Sequence, residues 1–568
     1  MSYNIMAINP GHNGSVALVV DGSLTYYEEE ERLSRMKYDG NPFRAMLVVL
    51  EEYHIDELII GGTNQDLEKL PWTAEDAYTA LVRKFNPNVK VTIIGSRHHI
   101  GHAANAFYNS GFEKAIAIVV DGAGSYHNTQ MIDGSDNPAT IVGGFETESV
   151  YRCSYPNIFE PLYKNYGGAN ANFGNNFQAF NKTVTITKAY EAVSHYLGFG
   201  FIEAGKTMGL SPYGRKDPTV PKLFDTKGKG NQAVLVPYYP AGAYINEENW
   251  PQGRRIQDPK VWHRDFTKCT DIDKNLAWQV QHETQELMGD LIEAVAKTGE
   301  TNIVISGGYG LNCVANYYYL KRFPNLNIYI DPISGDGGTA IGLALMAWYS
   351  KSGSSTVTPL KSLYLGTKPK YEMLEPLLKM HPNLEMFDTT PAHVADIIDG
   401  GSIVSMFSGR SEAGPRALGN RSILYDPRHS NGKNIVNAVK GREWFRPFAG
   451  SVMAEHANSW FEMRTLKSSP FMMYAVNVLP EKLSLLGAVT HVDGTCRIQT
   501  VDKTENPHYY ELIEEFYKKT GVPILFNTSF NLAGDPLVDS LNDAIDTILR
   551  CDIRYLYLPE LGKLIFKR

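Results

Sequence analysis

Cysteine is scarce in this chain. Five residues in 568 (Cys153, Cys269, Cys313, Cys496 and Cys551) stand apart, none in a CxxC pair. That excludes a disulfide framework and a thiolate zinc site, and it fits a reducing cytoplasm. Positive net charge is also lacking. Lys and Arg number 54 against 62 Asp and Glu, a formal charge of −8, so the molecule as a whole is no cationic nucleic-acid binder. The N-terminal MSYNIMAINPGHNG has no basic region followed by an apolar core, and no hydrophobic run reaches the length of a membrane span. The expectation is a soluble, cytoplasmic protein. What is present is ordinary for a globular chain, 43% hydrophobic and 20% charged, with length for two to four domains.

Two stretches rhyme. YNIMAINPGHNGSVALVVDG and KAIAIVVDGAGSYHNTQMIDG each read as strand, small-residue turn, strand and Asp-Gly. A glycine-bearing bend between strands wraps backbone amides around a phosphate, so the pair suggests a duplicated α/β domain that holds a nucleotide. Between them RHHIGHAANAF places His98 and His102 four apart, one helical turn on one face. That spacing suits two imidazoles on one cation, but taken alone it leaves a plain histidine pair ahead of a metal site.

Residues 151 to 268 are polar and aromatic-rich and read as an insertion of loops and short helices. Leu276, Val280, Leu287, Leu291 and Val295 then give a helical period from Asp271 to Lys297. NIVISGGYGLNCVANYYYLKRF is strand, glycine turn and helix, an order that aims helix N-terminal amides at an anion. IDPISGDGGTAIGLALMAWYS repeats it, with Asp336 in the position of an N-cap. KSGSSTVTP, residues 351 to 359, reads as a linker.

Past the linker the local charge reverses. Arg410, Arg416, Arg421, Arg428, Lys433, Lys440, Arg442 and Arg446 face only Glu412, Asp426 and Glu443 over the same span. These cations alternate with Gly, Pro, Asn and Ser instead of pairing with glutamates along a helix, which favours an anion pocket over a solvated face. GVPILFNTSFNLAGDPLV adds a strand with a polar turn, and Arg497 adds a further cation.

Read in order, GHNGSVALVVDG, EEEERLSRMK, HHIGHAANAFYNSGF, VVDGAG, GKTMGLSPYG, SGGYGLNCVAN, GDGGTAIGLAL, GRSEAGPRALGNRSIL, KGREWFRPFAGSV, HVDGTCRIQTV and ILFNTSFN closely resemble the NodU-type O-carbamoyltransferases, from near residue 5 to near residue 540. The resemblance implies a duplicated actin/hexokinase-like (ASKHA) domain over residues 1–352 and a YrdC-like twisted α/β domain over residues 360–568. It implies that the second domain converts carbamoyl phosphate and ATP (with Mg2+) into carbamoyl-adenylate. This intermediate then passes inside the protein to the first domain, where an acceptor hydroxyl takes the carbamoyl group and AMP leaves. Carried onto this sequence, it places a divalent metal, Fe(II) or a similar ion, on His98, His102, Asp121 and Asp336. His12 becomes the candidate base, against the plainer role of a hydrogen-bond donor. Gly122, Gly124, Glu203, Lys206, Gly307, Gly308 and Asn312 would line the nucleotide. Arg416 and Lys440 become catalytic in the second domain, with Arg421, Arg442, Arg446, Arg497, Ser529 and Asn531 as phosphate and carbamoyl-phosphate contacts.

Such a cluster suits the chemistry, since two phosphorylated substrates and then pyrophosphate must share one place. Two departures stand out: Arg97 precedes the histidines where the family often has Asp or Asn, and Tyr309 replaces a smaller residue. Both leave the acceptor open between a sugar-bearing small molecule and a hydroxymethylated pyrimidine, free or in DNA. tRNA threonylcarbamoylation and a non-catalytic ATP-binding scaffold are the competing readings.

Overall fold

The computed structural model describes residues 2–62, 75–131, 140–168, 177–178, 186–200, 202–220, 223–225, 232–233, 235–239, 242–245 and 269–568. The chain forms two compact units. The first comprises residues 1–11, 18–24 and 52–359; the second comprises 12–17, 25–51 and 360–568. Among the described residues no helix is long and apolar enough to cross a membrane.

The first sheet is built from β1 (Asn4–Asn9), β2 (Ser15–Val20), β3 (Ser23–Glu29), β4 (Glu57–Ile60) and β5 (Lys90–Ile93), in the order β3-β2-β1-β4-β5. NIMAIN and ELII are buried at every position. Unbroken apolar runs of this kind mark strands covered on both faces. The second sheet contains β6 (Lys114–Val120), β7 (Tyr126–Met131), β8 (Thr140–Ser154), β9 (Ile158–Gly168), β10 (Asn302–Ser306) and β11 (Asn327–Ile330). Its path β9-β8-β6-β10-β11 repeats the order of the first sheet, so the expected duplication is present.

Two expectations need correction. β6 and β7 do not form a hairpin. Both pair with β8, which runs antiparallel along β6 at residues 148–154 and along β7 at 140–145. The reason is in the bend, where Asp121 and Gly124 donate backbone N–H bonds to Thr147 and Glu146 of β8 and leave no bond for a reversal. Second, residues 151–154 and 158–168 are strands of this sheet and not inserted loops. The rest of the expected insertion lies largely outside the described residues.

The helices of the chain include α1 (Glu30–Ser34), α2 (Phe43–Glu52), α3 (Ala77–Phe85), α4 (His98–Ser110), α5 (Ile186–Tyr196), α6 (Ala204–Leu210) and α7 (Asp271–Ala296). They continue with α8 (Cys313–Arg322), α9 (Gly338–Ser352), α10 (Leu374–Met380), α11 (Pro391–Asp399), α12 (Gly432–Lys440), α13 (Pro507–Thr520) and α14 (Leu541–Leu549). α7 spans nearly the expected range and starts on a capping box made by Thr270 and Asp273. α4 and α9 cross at glycines. A Cβ on Gly342 would lie 2.0 Å from the Gly101 carbonyl oxygen, a contact only glycine allows. That close approach brings the start of α9 beside the start of α4.

The second unit holds a nine-stranded sheet. Its strands are β12 (Leu384–Asp388), β13 (Val404–Phe407), β14 (Arg421–Tyr425), β15 (Ala449–Met453), β16 (Ala475–Asn477), β17 (Thr495–Val501), β18 (Ile524–Ser529), β19 (Tyr555–Leu558) and β20 (Lys563–Lys567). The order is β12-β20-β19-β13-β14-β18-β15-β17-β16. Leu374, Leu377, Phe407, Ile423, Phe530, Ile545, Ile548 and Leu556 pack α10 and α14 on this sheet.

Candidate active site

In the first unit His98 and His102 sit one turn apart at the buried start of α4. Asp121 directly follows β6, and Asp336 stands two residues before α9. One donor atom from each of the four lies within 4.8 Å of the others. His98 Nε2 is 3.5 Å from Asp121 Oδ2 and 3.6 Å from Asp336 Oδ1. His102 Nε2 is 3.9 and 3.6 Å from the same two oxygens. The two Nε2 atoms are 3.1 Å apart. Ligand atoms at bond lengths of about 2.1 Å are separated by roughly 3.0 Å at right angles and roughly 3.4 Å in a tetrahedron. The observed separations fall around those lengths, and the donors are the imidazole and carboxylate types that a first-row divalent ion takes, so the four could hold one cation.

Electrostatics agrees. Burial disfavours a charged His98, yet Asp336 and Asp121 outweigh it and raise the imidazole to about 10. Asp121 is held below the usual carboxylate range although burial and Asp336 oppose this, because His98 and His102 prevail. Asp121 is fixed from behind: Gly308 N–H donates to its Oδ1 at 2.9 Å, and Thr187 donates to its carbonyl. Gly307 makes this possible at φ +87, where a Cβ would meet the Val120 carbonyl at 2.4 Å.

His99 stays out of the set. Its Nδ1 lies 2.7 Å from Ser149 Oγ, and burial pushes the ring down to about 3. A Cβ on Gly124 would strike the His99 ring, so this glycine serves close packing. Gly122 faces Glu191 Oε1, and Glu191 pairs with the buried Lys188 at 2.6 Å. Neither residue carries a sequence signal. Asp331, also missed, accepts from Ser306 Oγ at 3.1 Å, and Ser306 lies 3.4 Å from His102 Nδ1. Glu203 and Lys206 pair at 2.7 Å. Asn312 caps α8 and exchanges amide bonds with Gln281. Tyr309 is buried with its hydroxyl donating to Thr284. His12 stands exposed on the turn between β1 and β2 and groups with the second unit, whereas the four clustered ligands belong to the first.

In the second unit the cations gather at the ends of four adjacent strands. Ser529 of β18 pairs with Ser422, next to Arg421 on β14. Ala449, just after Arg446, faces both Asn527 of β18 and Arg497 of β17. Lys440 ends α12, and its buried ammonium donates to Asn531 O at 2.7 Å, Asn531 Oδ1 at 3.0 Å and the Ser529 carbonyl. Burial, then Arg442 and Arg446, push Lys440 well below its ordinary value. Burial, then Arg446 and Arg497, do the same to Arg442. Cations this crowded are relieved by a bound polyanion. Arg416 is half-buried on the loop after Glu412.

Arg421 is fully buried, and its guanidinium donates to the carbonyls of Ser408, Gly409, Asn420 and Asp539, so it braces the loop.

A family model described as the carbamoyltransferase N-terminus matches residues 63–345, and one described as the carbamoyltransferase C-terminus matches residues 395–564. The nodulation protein NolNO of Sinorhizobium fredii is 31% identical over 95% of this chain and 77% of its own length. The 3'-hydroxymethylcephem-O-carbamoyltransferase of Streptomyces clavuligerus is 33% identical over 95% of both chains, and that of Amycolatopsis lactamdurans is 25% identical over 99% of both.

Proposed function

Because the chain belongs to the carbamoyltransferase family, we propose that it is an ATP-dependent O-carbamoyltransferase working through carbamoyl-adenylate. The observation that supports this reading is the cluster of Lys440, Arg442, Arg446 and Arg497 by the Ser529–Asn531 turn, where mutual repulsion invites phosphate. In the second unit, water and carbamoyl phosphate give phosphate and carbamate. A carbamate oxygen then attacks the α-phosphorus of ATP and expels pyrophosphate. Arg416 and Lys440 draw charge from the transferring and leaving oxygens, while Arg442, Arg446, Arg497, Ser529 and Asn531 hold the phosphates.

The second half-reaction belongs to the first unit. There the acceptor hydroxyl oxygen attacks the carbamoyl carbon, the bond to the adenylate oxygen breaks, and the hydroxyl proton leaves to a base. His98, His102, Asp121 and Asp336 would hold a divalent ion, Fe(II) or another, which would supply charge stabilisation at the leaving phosphate. Glu203, Lys206 and Asn312, with the backbone at Gly122, Gly124 and Gly308, line the nucleotide. The relatives named for a hydroxymethylcephem point to a hydroxyl on a small molecule as the acceptor class.

The test is ATP–pyrophosphate exchange by the purified chain. Exchange that depends on carbamoyl phosphate is expected. Exchange that instead needs threonine and bicarbonate would overturn the reading.

A further inference from the structure

EEEERLSRMK carries five consecutive buried charges, Glu28 to Arg32, within the second unit. Most are explained by protein partners. Glu28 accepts from Thr367 N–H and Ser411 Oγ, Glu30 from the amides of Arg44 and Ala45 that open α2, and Glu31 from Lys37 and Tyr38.

Arg32 differs. Its Nη2 donates to the Gly414 carbonyl at 2.6 Å and its Nε lies 4.0 Å from Glu31 Oε1, but neither Nε nor Nη1, both buried, has a hydrogen-bond partner. Two residues before Gly414, Glu412 shows the complementary pattern. Its Oε1 accepts three backbone N–H bonds, from Leu418 and Asn420 at 2.8 Å and from Arg421 at 3.0 Å, and Oε2 is buried with none. The loop they grip from both sides is the one that presents Arg416.

As braces, Arg32 needs only Nη2 and Glu412 only Oε1. The remaining atoms are two donors and one acceptor, deep in one polar knot, and groups left like this are costly unless a ligand completes them. The carbamoyl group has the matching set: a carbonyl oxygen that accepts and an amide nitrogen that donates. We propose that Arg32 and Glu412 read the carbamoyl group of the donor, Arg32 giving N–H bonds to its oxygen and Glu412 Oε2 accepting from its NH2. This assignment rests on the carbamoyl-adenylate reading of the same unit and makes the two residues determinants of specificity. A methyl in place of the NH2, as in acetyl phosphate, leaves Glu412 Oε2 unsatisfied, which is the kind of loss that gives strong discrimination.

The experiment measures carbamoyl-phosphate-dependent ATP–pyrophosphate exchange by the full chain with acetyl phosphate as competitor. The readout is the ratio of the acetyl phosphate Ki to the carbamoyl phosphate KM. Glu412→Gln keeps an oxygen for the three amides and puts a donor where Oε2 was. The ratio should fall at least tenfold while the KM for ATP holds. Arg32→Lys keeps the charge and the reach to Gly414, and should raise Ki and KM together by a similar factor, again with the KM for ATP unmoved. A purely structural role lowers exchange for both ligands alike and leaves the Glu412→Gln ratio where it was, which would overturn the proposal. Should Glu412→Gln not fold, an unchanged carbamoyl phosphate KM in Arg32→Lys would overturn it as well. Absence of exchange in the unsubstituted chain would instead overturn the adenylation reading on which it rests.

Discussion

His98 and His102 show how little one spacing says. Four residues apart on a helix, they fit a plain pair better than a metal pair, and Asp336 reads as a helix cap until tertiary structure sets it 3.6 Å from both imidazoles. The carboxylates come from a strand end and a helix start that are 215 positions apart in sequence (336 minus 121), and no periodicity links them. Asp331, Lys188 and Glu191 went unread for the same reason. Asp331 approaches His102 only through Ser306, in the manner of groups that orient ligating imidazoles. Asp331→Asn should therefore weaken metal binding by about 10–100-fold, measured by competition with a fluorescent chelator. Arg421 shows the converse: within a basic motif its sequence points to a phosphate contact, and the fold gives its guanidinium four backbone carbonyls.

At the scale of elements, the buried strands and α7 were legible because unbroken apolar runs and a 3.6 period leave few alternatives. The β6–β7 bend was not, since its partner strand β8 follows in sequence and takes the hydrogen bonds that a hairpin would need. The crossing of α4 and α9 depends on Gly101 and Gly342. Gly342→Ala should destabilise the protein by about 1–3 kcal/mol through overpacking and weaken metal binding as the helix starts part, read by thermal melts and metal titration.

The Glu28–Arg32 segment gives a pH signature. Burial, then the charge of Asp539, lifts Glu28 to about 8 despite Arg32 and its hydrogen bonds. Between the ordinary carboxylate range and about pH 8 the folded chain keeps a proton that the unfolded chain releases, so this group's contribution to stability falls as pH rises. Glu28→Gln keeps an acceptor for Thr367 and Ser411 and removes that slope. Relative to the unsubstituted protein, its melting temperature should rise between pH 5 and pH 8.

For the whole molecule, the duplication and the basic cluster could be read from segment order and local charge, whereas the metal-type cluster came only with the family resemblance. The membership of the second unit could not. Residues 12–17 and 25–51 join it from the far end of the chain, through contacts such as Arg32 with Gly414 and Arg35 with Pro536 and Leu537 that no local pattern announces. A fragment beginning at Leu360 should accordingly lack cooperative thermal unfolding by circular dichroism, and one that also carries residues 12–51 should regain it.

The central claim is that two chemistries occupy two separate clusters. Its most direct test compares His98→Ala and Lys440→Ala for bound metal and for carbamoyl-phosphate-dependent ATP–pyrophosphate exchange. His98→Ala is predicted to lose metal and keep exchange, and Lys440→Ala to keep metal and lose exchange by about 100-fold or more. Loss of exchange in His98→Ala to the same degree would contradict the account.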